Sequence, residues 1–145
     1  NSSPHLHVLE IAGLSIWLGA FVLEHTADVL KQRFLRAMKA QGVRDQVCNV
    51  GLWRYSRHPN YFAEWMVWNG LIIAAIPSWL ARYSIDNAVI WALLGLGLLF
   101  VSRIMYTTMV LYTGAKPAEH YSVQKRPAYR QYQTTTNIFF PGPPK

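Results

Sequence analysis

Arg57-His58-Pro59-Asn60-Tyr61-Phe62-Ala63-Glu64, entered through Gly51-Leu52-Trp53-Arg54-Tyr55-Ser56, puts cations, aromatics, a helix-start signal and a carboxylate at the mouth of an apolar run. Proline suits the first turn of a helix, where its missing N–H and fixed φ cost nothing. The stretch therefore predicts a helix starting near His58 and running on through Trp65-Met66-Val67-Trp68. The free N–H groups and the positive dipole end of that helix would face out of the apolar layer, beside Arg54, Arg57 and His58. Proteins hold phosphates and carboxylates in this way. Asn60 and Glu64, four residues apart, share one helical face with Arg57 a turn before them.

Outward from this stretch the chain reads as a membrane protein. Of its 145 residues 52% are apolar, 14% aromatic and only 14% charged, enough for one domain and too few charges for a typical soluble one. Val8 to Leu23 is apolar apart from Glu10 and Ser15, Tyr61 to Leu80 forms a second apolar segment, and Ala88 to Val101 a third. The reading is an all-α integral membrane bundle with about three transmembrane helices, near 8–28, 60–81 and 88–112, in a single domain over 1–145. After the first span, Lys31, Arg33 and Arg36 alternate with Val29, Leu30, Phe34 and Leu35, which predicts an amphipathic continuation ended by Gln41-Gly42. No cationic n-region precedes the first apolar run, so it does not read as a signal peptide, and a chain that begins at Asn1 reads as lacking its start. Asn1-Ser2-Ser3 formally matches a glycosylation acceptor, a weak signal at a chain end.

The net charge of +7 sits beside the apolar segments and not in a stripe on a soluble domain. That points to anionic headgroups and an anionic cofactor and away from nucleic acid. Seven Lys and Arg lie between Lys31 and Arg57, one lies at Arg82 and five follow Thr113. The positive-inside rule then puts the basic loop and the tail on the cytosolic face of a multi-pass protein, in the endoplasmic reticulum of a eukaryote or the inner membrane of a bacterium. Cys48 is the single cysteine and reads as a small buried or interfacial residue; with no compact pair of histidines either, no metal site is expected.

Arg57-His58-Pro59-Asn60-Tyr61 followed by Glu64 resembles the R-H-P-x-Y-x-G-E signature shared by membrane sterol reductases and isoprenylcysteine carboxyl methyltransferases. The longer run from Gly51 to Phe62 is most similar to a branch of the steroid 5-alpha-reductase superfamily. The likeness extends through Glu24, Asp28 and Phe34 upstream, and downstream through Glu119, Arg126-Pro127-Ala128-Tyr129-Arg130-Gln131-Tyr132 and Phe140-Pro141, with Ala63 where the signature has glycine. It implies the C-terminal, NADPH-holding part of that fold, with hydride transfer from NADPH to a carbon–carbon double bond of a steroid or other lipophilic substrate. Carried over residue by residue, the cofactor side comprises Asp28, Arg57, Asn60, Tyr61, Glu64, Arg103 and Glu119; His58 joins it from its place beside the helix start, and electrostatics adds Lys31 and Arg33. The family's substrate-side acid and tyrosine have no match here, so no proton donor is assigned. Two alternatives stand: an S-adenosylmethionine-dependent methyltransferase, and a non-catalytic membrane module.

On their residues alone these positions read in two ways. Arg54, Arg57 and His58 suit interfacial cations reaching for headgroups as well as a ligand site. A carboxylate inside a span, Glu64, is costly without a partner, and Arg103 is its natural complement, so the two are expected to share one pocket. Glu24 and Asp28, four apart, would hold a ribose hydroxyl, position an arginine or simply cap a solvated helix. Tyr129 and Tyr132 suit a packed lid or a phenol close to an anionic ligand.

Overall fold

The computed structural model describes residues 5–145, so the Asn1-Ser2-Ser3 triplet lies outside it. Every regular element is helical: α1 Val8–Ala40, α2 Pro59–Ala81, α3 Ala88–Thr107, α4 Ala115–Lys125 and α5 Tyr129–Thr135. α1 opens on a reciprocal cap in which the His7 ring accepts from Leu9 N–H at 3.2 Å and Glu10 accepts from His7 N–H at 2.6 Å. The expected span and its amphipathic continuation form one unbroken helix of 33 residues, roughly 50 Å long at 1.5 Å per residue. Gly42, with φ +71°, ends it. α2 starts with Pro59 as its first residue.

The third expected segment is α-helical only to Thr107 and continues to Tyr112 as a single π turn. The chain then turns at Gly114, where a Cβ would lie 1.8 Å from the Met109 carbonyl oxygen, so only glycine fits.

α1 and α2 run antiparallel at backbone contact. A Cβ on Gly13 would meet Gly70 O at 2.5 Å, and one on Gly70 would meet Trp17 N at 2.6 Å. Gly13, Ala20 and Ala27, seven residues apart, are the buried positions of α1, and Ala63 and Gly70 are their counterparts on α2. Small residues bring two backbones this close where there is no water to expel. α3 is held to α2 by polar handles on aromatics. Trp79 and Trp91 stack at 4.4 Å and each indole N–H donates to the other's carbonyl, at 2.9 and 3.1 Å. Nearer the start of α2, Trp65 donates to Ser102 O at 3.1 Å, and the Ser102 hydroxyl donates to Asn69 at 2.8 Å. The outer face of α3 leaves Leu93, Leu96, Leu99 and Phe100 exposed.

Two helical segments, Val8–Ala40 and Ala88–Lys125, are long and apolar enough to cross a membrane. α2 has the length, but Asn60, Glu64 and Asn69 dilute its apolar character. The last ten residues fold back over the start of α2. Arg57 N–H donates to Asn137 O, the Ser56 hydroxyl to Phe139 O and Gly142 N–H to Tyr55 O, at 2.8 to 3.0 Å. Phe139, 1% exposed, then seals a cluster with Phe62, Trp65, Tyr106 and Phe140.

Candidate functional site

α2 begins where the loop after α1, the α4–α5 corner and the returning tail converge. The first hydrogen bond of α2 runs from Phe62 N–H to His58 O, so the Asn60 and Tyr61 amides have no partner within the helix. Behind this start lies a buried ionic node. Arg57 is gripped by Glu119 of α4 through Nε–Oε1 at 2.6 Å and Nη2–Oε2 at 3.2 Å. Its Nη1 donates to the carbonyls of Gln133 and Thr136, each at 2.6 Å. Glu119 also meets His58 Nε2 at 3.1 Å and accepts from Gln133 at 2.8 Å. Burial pushes the Glu119 carboxyl upward, but the donors from His58, Arg57 and Gln133 prevail and hold it at about 2. Burial lowers the His58 pKa against the upward pull of Glu119. A neutral His58 that donates through Nε2 presents its Nδ1 lone pair as an acceptor.

In front of the node is a cavity of about 70 Å³, walled by Lys31, His58, Asn60, Tyr61, Arg126 and Tyr129 among others. Lys31 Nζ sits 4.3 Å over the Trp53 ring, and the Trp53 indole N–H donates to Ala27 O at 2.9 Å. Lys31 and Arg126 are within electrostatic reach of each other, and Arg126 Nε is buried with no hydrogen-bond partner among the described residues. Two neighbouring cations, one with an idle donor, beside the free amides of a helix start are the kind of groups with which proteins hold anions such as phosphate. Tyr132 donates to the Trp53 carbonyl and ties α5 to the floor, and Cys48 lines one wall with its thiol pKa raised by burial.

The expected residues divide accordingly. Lys31, Arg57, His58, Asn60 and Tyr61 border the cavity, and Asp28 adjoins it by accepting from the Asn60 amide at 3.1 Å. Glu119 stands behind it, spent on Arg57. Arg57, read in the sequence as a phosphate ligand, spends its Nε, Nη1 and Nη2 donors inside the protein and acts on the site by holding α4 and the tail against it. Arg33 is exposed on another face of α1.

The expected Glu64–Arg103 pocket does not form. Arg103 is exposed with its guanidinium 5.9 Å over the Tyr106 ring, whereas Glu64 faces Asp28 and Glu24 of α1, and the two make no ion pair. The cause is helical phase. Ser102 takes the position that bonds to α2, and its neighbour Arg103 therefore points roughly 100° away. Trp53 lies in the stretch read as the site without a role of its own, and Arg126 and Cys48 were outside the expected site; Arg126 stands in the same run as Tyr129 and Tyr132, and its charge was the available signal.

The family profile described as Protein of unknown function (DUF1295) matches residues 1–136, nearly the whole chain. The chain belongs to the DUF1295 family. Within 92 residues, 63% of this chain, it is 35% identical to an uncharacterised protein of Schizosaccharomyces pombe. Those residues make up 23% of that relative, so this DUF1295 chain spans about a quarter of the length of the curated protein it matches. No solved structure matches the chain significantly.

Proposed function

We propose that this DUF1295 chain forms the cofactor-holding part of a multi-pass membrane reductase of the steroid 5-alpha-reductase type, with the basic loop at 31–57 and the tail on the cytosolic side. The reaction is transfer of a hydride from NADPH to a carbon–carbon double bond of a steroid or other lipophilic substrate. The observation that carries the reading is the idle Nε of Arg126, a residue that lines one cavity with Lys31 and with Asn60 and Tyr61 of the α2 start. This set fits one phosphate group. A groove of about 550 Å³ that shares Arg126 leaves room for the rest of a dinucleotide. When bound, NADPH supplies the hydride.

The chain's own residues bind and orient the cofactor. Lys31, Arg126 and the α2 amides take a phosphate, and the neutral His58 offers an acceptor to a sugar hydroxyl. The Phe139 cluster packs on the first turns of α2 and keeps water from that side of the site.

The competing methyltransferase reading draws on the carboxylates Glu24, Asp28 and Glu64, which lie close together without a cation paired to them and would suit a sulfonium. Parallel calorimetric titration of the purified protein with NADPH and S-adenosylmethionine separates the two. Binding of NADPH alone supports the reductase; binding of S-adenosylmethionine alone supports the methyltransferase.

A further inference from the structure

A second recess lies between the last turns of α1 and the loop that follows it. We infer that this groove takes the adenosine end of the dinucleotide and that Lys39 and Arg44 on its rim read the 2′-phosphate, which makes them the residues that select NADPH over NADH. The inference rests on the reductase reading above.

The groove's chemistry is amphipathic. Leu35, Met38 and Val43 give it apolar surface for a flat ring, and Lys39, Arg44 and Arg126 face a single carboxylate, Asp45. An adenosine whose ribose carries a 2′-phosphate needs both properties in one recess, and arginine is the residue best matched to a pair of phosphate oxygens.

Backbone conformation shapes the wall. Gly42 and Asp45 both adopt left-handed φ, +71° and 60°, and Val43 N–H returns to Met38 O at 3.0 Å. The loop thereby curls back along α1 and carries Arg44 to the rim beside Lys39. Glycine and aspartate are among the residues that adopt left-handed φ most readily, so the sequence suits this double turn.

Continuity comes from Arg126, which borders both the groove and the smaller cavity at the start of α2. From Asp28, which touches Asn60, to Lys39 the helix rises roughly 16 Å. A ligand laid along α1 thus has three stations in order. Its inner end lies at Asp28 and Asn60, toward the apolar layer, a phosphate lies between Lys31 and Arg126, and the adenosine lies at Lys39 and Arg44. This order directs the reactive end of the cofactor to the membrane, where a lipophilic substrate dissolves.

The test uses the full chain in detergent or nanodiscs, with NADPH, NADH and 2′,5′-ADP as probes in calorimetry. Lys39 and Arg44 are exposed, so Lys39→Ala/Arg44→Ala leaves the fold intact. The double variant is expected to lose roughly ten- to a hundredfold in affinity for NADPH and for 2′,5′-ADP while NADH binding stays unchanged. Lys31→Ala is expected to weaken NADPH and NADH alike, because both carry the pyrophosphate. Equal loss of NADPH and NADH in the double variant, or no loss of either, overturns the inference and leaves the reductase reading standing. So does a double variant that binds both dinucleotides as the wild type does and differs only in how much anionic lipid in the nanodisc stabilises it. A wild-type chain that binds neither dinucleotide overturns the reductase reading and this inference with it.

Discussion

Glu119→Gln removes one charge from the node behind the cavity and keeps the side chain's size. In the wild type this carboxylate takes two donors from Arg57, one from Gln133 and one from His58, at 2.6 to 3.2 Å and 6% exposure. The glutamine can accept through one oxygen only, and its amide would confront the Arg57 guanidinium, leaving a buried cation without a counter-charge. Breaking a buried pair from one side costs about 3–5 kcal/mol. The pH linkage gives a separate figure. A carboxyl held at about 2 in the fold and at 4.5 when unfolded contributes roughly 3 kcal/mol. Because the folded pKa is the lower one, that contribution is complete above 4.5 and is lost as pH falls from 4.5 through about 2. Denaturant unfolding of the detergent-solubilised protein between pH 2 and 7 should therefore show the variant less stable by about 3–5 kcal/mol at neutral pH and flatter than wild type below pH 4.5. Arg57→Met/Glu119→Leu should be less destabilised than either single variant's loss would add up to. A neutral-pH loss under about 1 kcal/mol, or additivity of the two positions, refutes the node as a buried ion pair.

His58, whose pKa burial lowers, is neutral in the fold, so stability should fall with pH below the ordinary histidine value of 6.5; His58→Asn should lessen that fall, read from the same unfolding curves. Gly70→Ala forces a Cβ to within 2.6 Å of α1 backbone and should cost at least about 1–3 kcal/mol, whereas Gly97→Ala, with nothing near its Cβ, should change stability by less than about 1 kcal/mol in thermal unfolding. Cys48 is buried with its thiol pKa raised, so an impermeant maleimide should label it slowly and only from the side that also exposes the C-terminal tail; labelling from the opposite side contradicts the topology.

Much of the architecture was legible because it rests on local chemistry. Pro59 marks the start of α2, Gln41-Gly42 the end of α1, and the apolar runs set the three long helices. Two readings failed for reasons that do not lie in local sequence. Arg57 looked like a free anion receptor because the residue that consumes it, Glu119, stands 62 positions away, and only the fold of α4 and α5 brings the carboxylate and the Gln133 and Thr136 carbonyls to it. Arg103 looked like the partner of Glu64 because both are charges in apolar surroundings on one side of the layer. Depth can be read from a sequence to a few residues, but facing direction changes by 100° per residue, and Ser102 holds the inward place. The cavity's cation pair was missed for a related reason. Lys31 lies in α1 and Arg126 in the extended corner between α4 and α5, far apart in the chain, and Trp53 and Tyr132 tie the two regions together.

If Lys31, Arg126 and the first amides of α2 hold a phosphate of NADPH, calorimetric titration of NADPH across a salt series into wild type and Arg126→Ala will show it. With one charge-assisted contact of about 1.5–3 kcal/mol removed, the variant should bind roughly ten- to a hundredfold more weakly. Its affinity should also depend less steeply on ionic strength. An Arg126→Ala protein that binds NADPH as tightly as wild type at every salt concentration, or a wild type that binds S-adenosylmethionine and not NADPH, would contradict it.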